Sequence, residues 1–105
     1  MATNRVDMLK QMLSENPGNT FARYGLAMEL TKSGDFAAAI TEFNHLLEHD
    51  DSYAAAYYHG GQAYEKLGQV EEARRMYEKG IEVTVRNGDG HTRAELEAAL
   101  SLLPV

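Results

Sequence analysis

Residues 54–86 repeat the pattern of residues 20–52 at a constant offset of 34 positions. Under that shift Gly68 falls on Gly34, Ala73 on Ala39, Tyr58 on Tyr24 and Lys66 on Lys32, while Tyr64, Tyr77 and Ile81 fall on Leu30, Phe43 and Leu47. A fixed period of this size marks an array of stacked supersecondary units, none of which buries its apolar face alone. The period points to binding as the work of the chain and leaves the bound molecule open.

Each copy reads as two helices joined by a tight turn, Ser33-Gly34-Asp35 in the first and Leu67-Gly68-Gln69 in the second. Glycine reaches the left-handed conformation that ends a helix at little cost. Asp35 is placed to cap the helix after it, and Glu71 and Glu72 sit in a first turn, where negative charge suits the helix dipole. Gly60 and Gly61 lie inside a predicted helix and cost it about 1 kcal/mol each relative to alanine. The expected return is close helix–helix approach, with Tyr57, Tyr58 and Tyr64 filling space around the gap and Ala27, Ala39 and Ala73 playing the same part elsewhere.

These residues resemble the tetratricopeptide repeat family, whose pattern runs W-x2-L-G-x2-Y, then A-x3-F, then P over 34 residues. The second copy supplies Tyr57, Gly60, Gly61, Tyr64, Ala73, Tyr77 and Val85; the first supplies Arg23, Leu26, Ala27, Leu30, Ala39, Phe43 and Asp51. Arg23 and Gly60 stand at large-residue positions and neither copy closes on proline, which predicts looser packing at Gly60. The resemblance implies an all-α fold, a right-handed superhelical stack of antiparallel helix hairpins.

The flanks fit the same register. Val6, Leu9 and Leu13 recur at helical spacing, so residues 3–16 are read as a capping helix, with Thr3 or Asn4 at its start and Asn16-Pro17-Gly18-Asn19 at its end. Counting back one period places Arg5 and Leu9 on Ala39 and Phe43, and Pro17 where the closing proline belongs. This is the second helix of a repeat whose first helix is missing. Repeat 1 spans 20–53, with helices at 20–32 and 36–49; repeat 2 spans 54–87, with helices at 53–67 and 70–86 and Asp51 or Ser52 as the cap between the repeats. After Asn87-Gly88-Asp89-Gly90, read as a lengthened loop, Thr92 and Glu95 form a capping-box signature. They open a C-terminal capping helix at 91–103, with an apolar stripe of Leu96, Ala99, Leu100 and Leu103 and with Pro104 at its end. Six helices equal three repeats, about the number needed to bury a continuous core, so 1–105 is expected to stand alone as one domain.

Composition excludes some classes of work. A net charge of −6 makes nucleic acid and anionic membrane poor partners. No cysteine is present, which fits a reducing, cytoplasmic setting. Neither a secretion signal nor a membrane-spanning apolar run is visible. No nucleophile elbow, phosphate loop or H-E-x-x-H pair occurs, and Ser14, Ser33 and Ser52 sit where capping or turn formation explains them, so no enzyme activity and no cofactor is expected. Carboxylates follow helix surface spacing, as in Glu71 and Arg75. His45 and His49, at i and i+4 behind Glu42, have spacing acceptable for zinc or copper, but a solvated convex face explains them and no metal site is expected.

As the resemblance implies, the first helix of each pair lines a concave groove that holds a peptide or protein partner. Mapped onto this chain, the groove comprises Phe21, Tyr24, Met28, Thr31, Ala55, Tyr58, Gln62 and Glu65, with Phe21 expected to be partly buried under the first helix. The Lys and Asn of the two-carboxylate clamp known in one subclass are replaced by Tyr24, Met28 and Gln62, which leaves an aromatic, neutral groove suited to an apolar anchor. The expected function is a non-enzymatic adaptor; the alternative is a self-associating scaffold, a homodimer joined through an apolar tip at Leu102, Leu103 and Val105.

Overall fold

A computed structural model describes residues 4–105. Six helices follow one another among them: α1 (Arg5–Glu15), α2 (Thr20–Lys32), α3 (Phe36–His49), α4 (Ala54–Lys66), α5 (Val70–Asn87) and α6 (Gly90–Ser101). Each packs on its neighbours in sequence, and α4 also packs on α6. The first helices of the last two pairs, α4 and α6, thus lie against each other on one side of the stack.

The helix ends follow local chemistry. Gly34 and Gly68 take left-handed backbone (φ 83° and 74°), and the next amide bonds back to a carbonyl of the helix just ended: Asp35 N to Leu30 O and Gln69 N to Tyr64 O, both 2.9 Å. Asn4, Asn19 and Asp35 accept from the amides of Asp7, Ala22 and Ala38 through their side chains. The sequence left Thr3 or Asn4 as the first cap; Asn4 caps, and Thr3 lies outside the described residues.

Two expectations about caps are corrected. Helix α4 is capped at Tyr53 without a side-chain bond, in place of Asp51 or Ser52. Ser52 donates its amide and hydroxyl to the Asp50 carboxylate, and the Asp51 carbonyl accepts from the Tyr57 hydroxyl, so this turn is already tied. The link before α6 is also not lengthened. Helix α5 itself is longer, 18 residues against 14 for α3. Gly88 (φ 70°) ends it as Gly34 and Gly68 end theirs, and Asp89 at once caps α6 through the Thr92 amide. Thr92 therefore lies inside α6, and no Thr92–Glu95 capping box forms. The surface pairs also shift by one position: Glu71 meets Arg74 at 3.4 Å and Glu72 meets Arg75 at 3.3 Å, in place of Glu71 with Arg75.

The core is a row of three clusters. Leu9, Leu13, Ala22 and Leu26 join α1 to α2; Ala27, Ala39, Phe43, Leu46 and Ala56 join α2, α3 and α4; Tyr57, Ala73, Tyr77, Val83, Leu96 and Leu103 join α4, α5 and α6. Leu30 and Leu47 each pack against two of these clusters and make the row continuous.

Close approach centres on Gly61. A Cβ there would fall 2.7 Å from Cδ1 and 2.8 Å from Cζ of the buried Tyr77 ring. Tyr57, Tyr58 and Tyr64 were expected to close this gap; Tyr77 closes it from α5. Gly60 is not loosely packed either, because the Met76 Cε lies over it, 2.5 Å from where a Cβ would stand. A third contact had no sequence signal. Gly80 stands one period after the buried Leu46, and Tyr57 and Leu96 press against it in place of a side chain of its own.

Arg23, the first copy's departure from the aromatic position, makes the same tie as Tyr57 by other means. Its guanidinium donates to the Pro17 carbonyl at 3.1 Å, while the Tyr57 hydroxyl donates to the carbonyl one period on, Asp51, at 2.7 Å. A 2.7 Å ion pair to Glu42, with both side chains largely buried, satisfies the remaining charge.

Gly61→Ala should destabilise the fold by about 1–3 kcal/mol, because the rigid Tyr77 ring has to move and overpacking outweighs the gain in helix propensity. Gly60→Ala should be neutral or slightly stabilising, since only the flexible end of Met76 must yield. Urea unfolding of the two variants checks this; equal effects would refute the assignment of the close contact to Gly61.

Candidate functional site

Of the residues expected to line the groove, Tyr24, Met28, Thr31, Ala55 and Tyr58 are half-buried on α2 and α4, and Gln62 and Glu65 are exposed. Phe21 is not tucked under α1; it is 71% exposed, because Leu9, Leu13 and Val6 of α1 face Ala22 and Leu26, leaving the adjacent position on α2 uncovered.

The aromatic residues split into two roles. Tyr24 packs between Tyr53 (ring centroids 5.2 Å apart) and Phe43 (6.4 Å), so its ring is part of the joint between repeats as well as of the surface. Tyr58 meets Tyr77 at 6.5 Å and accepts from the Gln62 amide at 3.0 Å. His59 lies among these rings: stacked on Phe43 at 6.5 Å, edge-on to Tyr58 at 5.1 Å, and 6.1 Å from Tyr24. Only the fold brings Tyr24 and Phe43 to the adjacent Tyr58 and His59.

At the lower end of α4, Gln62, Glu65 and Lys66 border an open hollow of about 470 Å³. A second hollow of about 410 Å³ continues towards α6, between Tyr58, Gln62 and Glu65 on one wall and Glu95, Ala98, Ala99 and Leu102 on the other. The α6 wall was absent from the groove as mapped by sequence, because α6 was read as a cap alone. Its Ala98 and Leu102, outside the buried stripe, were the available signal. Helix α6 flanks the groove and does not fill it. The Tyr77 hydroxyl donates to the Glu65 carboxylate, and burial, reinforced by that carboxylate, holds the phenol far above its usual pKa.

His45 and His49 do not converge. His49 Nδ1 bonds to the His45 carbonyl at 3.0 Å, and His45 Nδ1 lies 3.5 Å from the Arg23 guanidinium, a poor neighbour for a metal cation. Among the described residues no group of three His, Asp or Glu side chains is placed to hold a metal ion. The Ser14, Ser33 and Ser101 hydroxyls each bond to a carbonyl three residues back in their own helix. Among the described residues no helix is long and apolar enough to cross a membrane.

Antiparallel helix pairs at a 34-residue period define a helical-repeat scaffold. The sequence matches the family model of the tetratricopeptide repeat twice, over residues 6–52 and 30–92, and the chain belongs to that family. It is similar to a TPR repeat-containing protein of Pseudomonas aeruginosa, 26% identical over 93% of each chain. Among solved structures, a tetratricopeptide repeat domain protein of Salinibacter ruber matches at 36% identity and a TM-score of 0.75, over 82% of this chain and 87% of that one. YrrB, a TPR protein with an unusual peptide-binding site, matches at 25% identity and a TM-score of 0.77, over 89% of this chain and 46% of that one.

Burial lowers the His59 pKa from the usual 6.5, against the opposing pull of Glu95. For a base depressed in this way the unfolded chain binds more protons than the folded one between the lowered value and 6.5, so stability rises with pH across that window. The stability is complete above the window and is lost as the pH falls through it. The melting temperature should therefore drop as the pH falls below about 6.5, and His59→Gln should flatten that slope. An undiminished slope in the variant would assign the loss to other groups.

Proposed function

We propose that this chain is a non-enzymatic interaction module that holds a peptide or protein segment along the face formed by α2, α4 and α6. The unit is made of the two full repeats, 20–53 and 54–87, with a half-repeat at either end. The carrying observation is the open hollow between Tyr58 and Gln62 on α4 and Ala98 and Leu102 on α6, which continues past Gln62 and Glu65. A groove of this breadth, walled by helices, offers an aromatic ring with a polar tip, short aliphatic side chains and carboxylates, a set suited to an extended segment. The exposed Phe21 and the half-buried Met28 and Tyr24 extend the same face along α2, and Thr31 and Ala55 lie between them. The peptide-binding site named for YrrB supports this reading by analogy of fold. The acidic net charge and the lack of cysteine agree with a protein partner in a cytoplasmic setting, rather than nucleic acid or membrane.

Affinity capture from a lysate of the source cells tests the groove. Partners held by the wild type should fall several-fold with Phe21→Ala/Tyr58→Ala, while circular dichroism shows the variant still folded. Unchanged capture would place binding on another surface.

A second reading, self-association through the C-terminal tip, is favoured by one observation: Leu102 is 82% exposed and Val105 is exposed beside it, although Leu103 is buried in the core. Light scattering at high micromolar concentration should then show dimer, lost in Leu102→Lys; a strict monomer would end this alternative.

A further inference from the structure

The two repeats do not present the same surface to the groove, and the difference starts in the core. Phe43 in the first copy has no hydroxyl, and the residue one period before Glu65 is Thr31, which spends its hydroxyl on the Ala27 carbonyl of its own helix at 2.8 Å. In the second copy the equivalent ring is Tyr77. It is fully buried, and its hydroxyl reaches the Glu65 carboxylate at the groove wall. One exposed carboxylate on α4 is thus held in a fixed orientation by a phenol anchored in the core, the arrangement that spares an acceptor the entropy of ordering when a ligand arrives.

Glu65 does not stand alone. It borders the hollow of about 410 Å³ whose α6 wall carries Glu95, with Ala98, Ala99 and Leu102 as an apolar shelf beside it. Of the residues lining this hollow, two are acidic and none is basic; Lys66 borders the adjoining hollow, and His91, 88% exposed, lies 3.7 Å from Glu95 on the solvent side. An aliphatic shelf and two carboxylates on the walls of one hollow complement a side chain that is cationic at its tip, next to one that is apolar.

We infer that the α4–α6 end of the groove selects a peptide carrying Lys or Arg beside an aliphatic residue, the cation seated between Glu65 and Glu95 and the aliphatic side chain on Ala98, Ala99 and Leu102. This rests on the groove reading and names the chemistry of its ligand. Glu65 and Glu95 set specificity, and Tyr77 is a positioning residue that acts through Glu65. The uncharged Tyr24 and Met28 at the other end accept the remainder of the segment. The preference is for basic segments, in a protein whose own net charge of −6 also draws them.

Selection of a displayed random dodecapeptide library on the full chain tests this. Enriched peptides should contain Lys or Arg adjacent to Leu, Ile or Val. A fluorescein-labelled copy of an enriched peptide, followed by fluorescence polarisation, should bind about five- to tenfold more weakly to Glu65→Gln and to Glu95→Gln, and more weakly in high salt. Tyr77→Phe, which imports the ring of the first copy and so should keep the fold, is expected to weaken binding about two- to threefold while a Lys→Ala version of the same peptide binds wild type and variant alike. Enrichment of acidic or uncharged peptides, or of basic ones indifferent to both glutamine variants, overturns the inference. If such peptides are nevertheless lost with Phe21→Ala/Tyr58→Ala, the groove reading survives it. No enrichment of any peptide overturns both.

Discussion

An aromatic ring packed against a residue with almost no side chain holds this protein together. Tyr77 on Gly61 binds α5 to α4, and Phe43 with Ala27 occupies the equivalent positions between α3 and α2. Burial of one such ring contributes about 1.5–3 kcal/mol, which exceeds the roughly 1 kcal/mol that glycine costs a helix interior. Because the ring needs the space a Cβ would fill, the distance between the two helices of a pair is set by that contact.

Around that contact the two copies diverge, and the divergences compensate locally. Arg23 with Glu42 replaces Tyr57 with Met76, yet both Arg23 and Tyr57 reach a carbonyl one period apart. Leu46 fills its own site, whereas Gly80 leaves a site that Leu96 fills from α6. A repeat protein tolerates such exchanges because each unit touches only its neighbours, so a change is answered within one interface. The C-terminal end illustrates this further: Leu103 is buried against the last pair, and the Pro104 carbonyl accepts from Arg74 at 2.7 Å, fixing the tail on α5.

The register of the first helices was legible in the sequence because their positions recur with the period, and the family resemblance assigned Tyr24, Met28, Tyr58, Gln62 and Glu65 to one face of them. Register failed for α6, whose offset from α4 is shifted by the extra length of α5. Its wall of Glu95, Ala98 and Leu102 therefore went unread, as did the inclusion of His59 in the ring cluster. Phe21 was misjudged for a related reason: exposure depends on how far α1 extends over α2, and no local pattern encodes that.

The sequence by itself determined the helix pairs, their glycine turns and the close approach at Gly61, since left-handed glycines and a 34-residue period are short-range or strictly periodic signals. Only the tertiary structure decided which ring fills which gap, where α6 begins, and that a core tyrosine reaches a groove carboxylate. Those outcomes rest on distances between helices, and such distances are fixed by packing summed over the whole row of clusters rather than by any single stretch of chain.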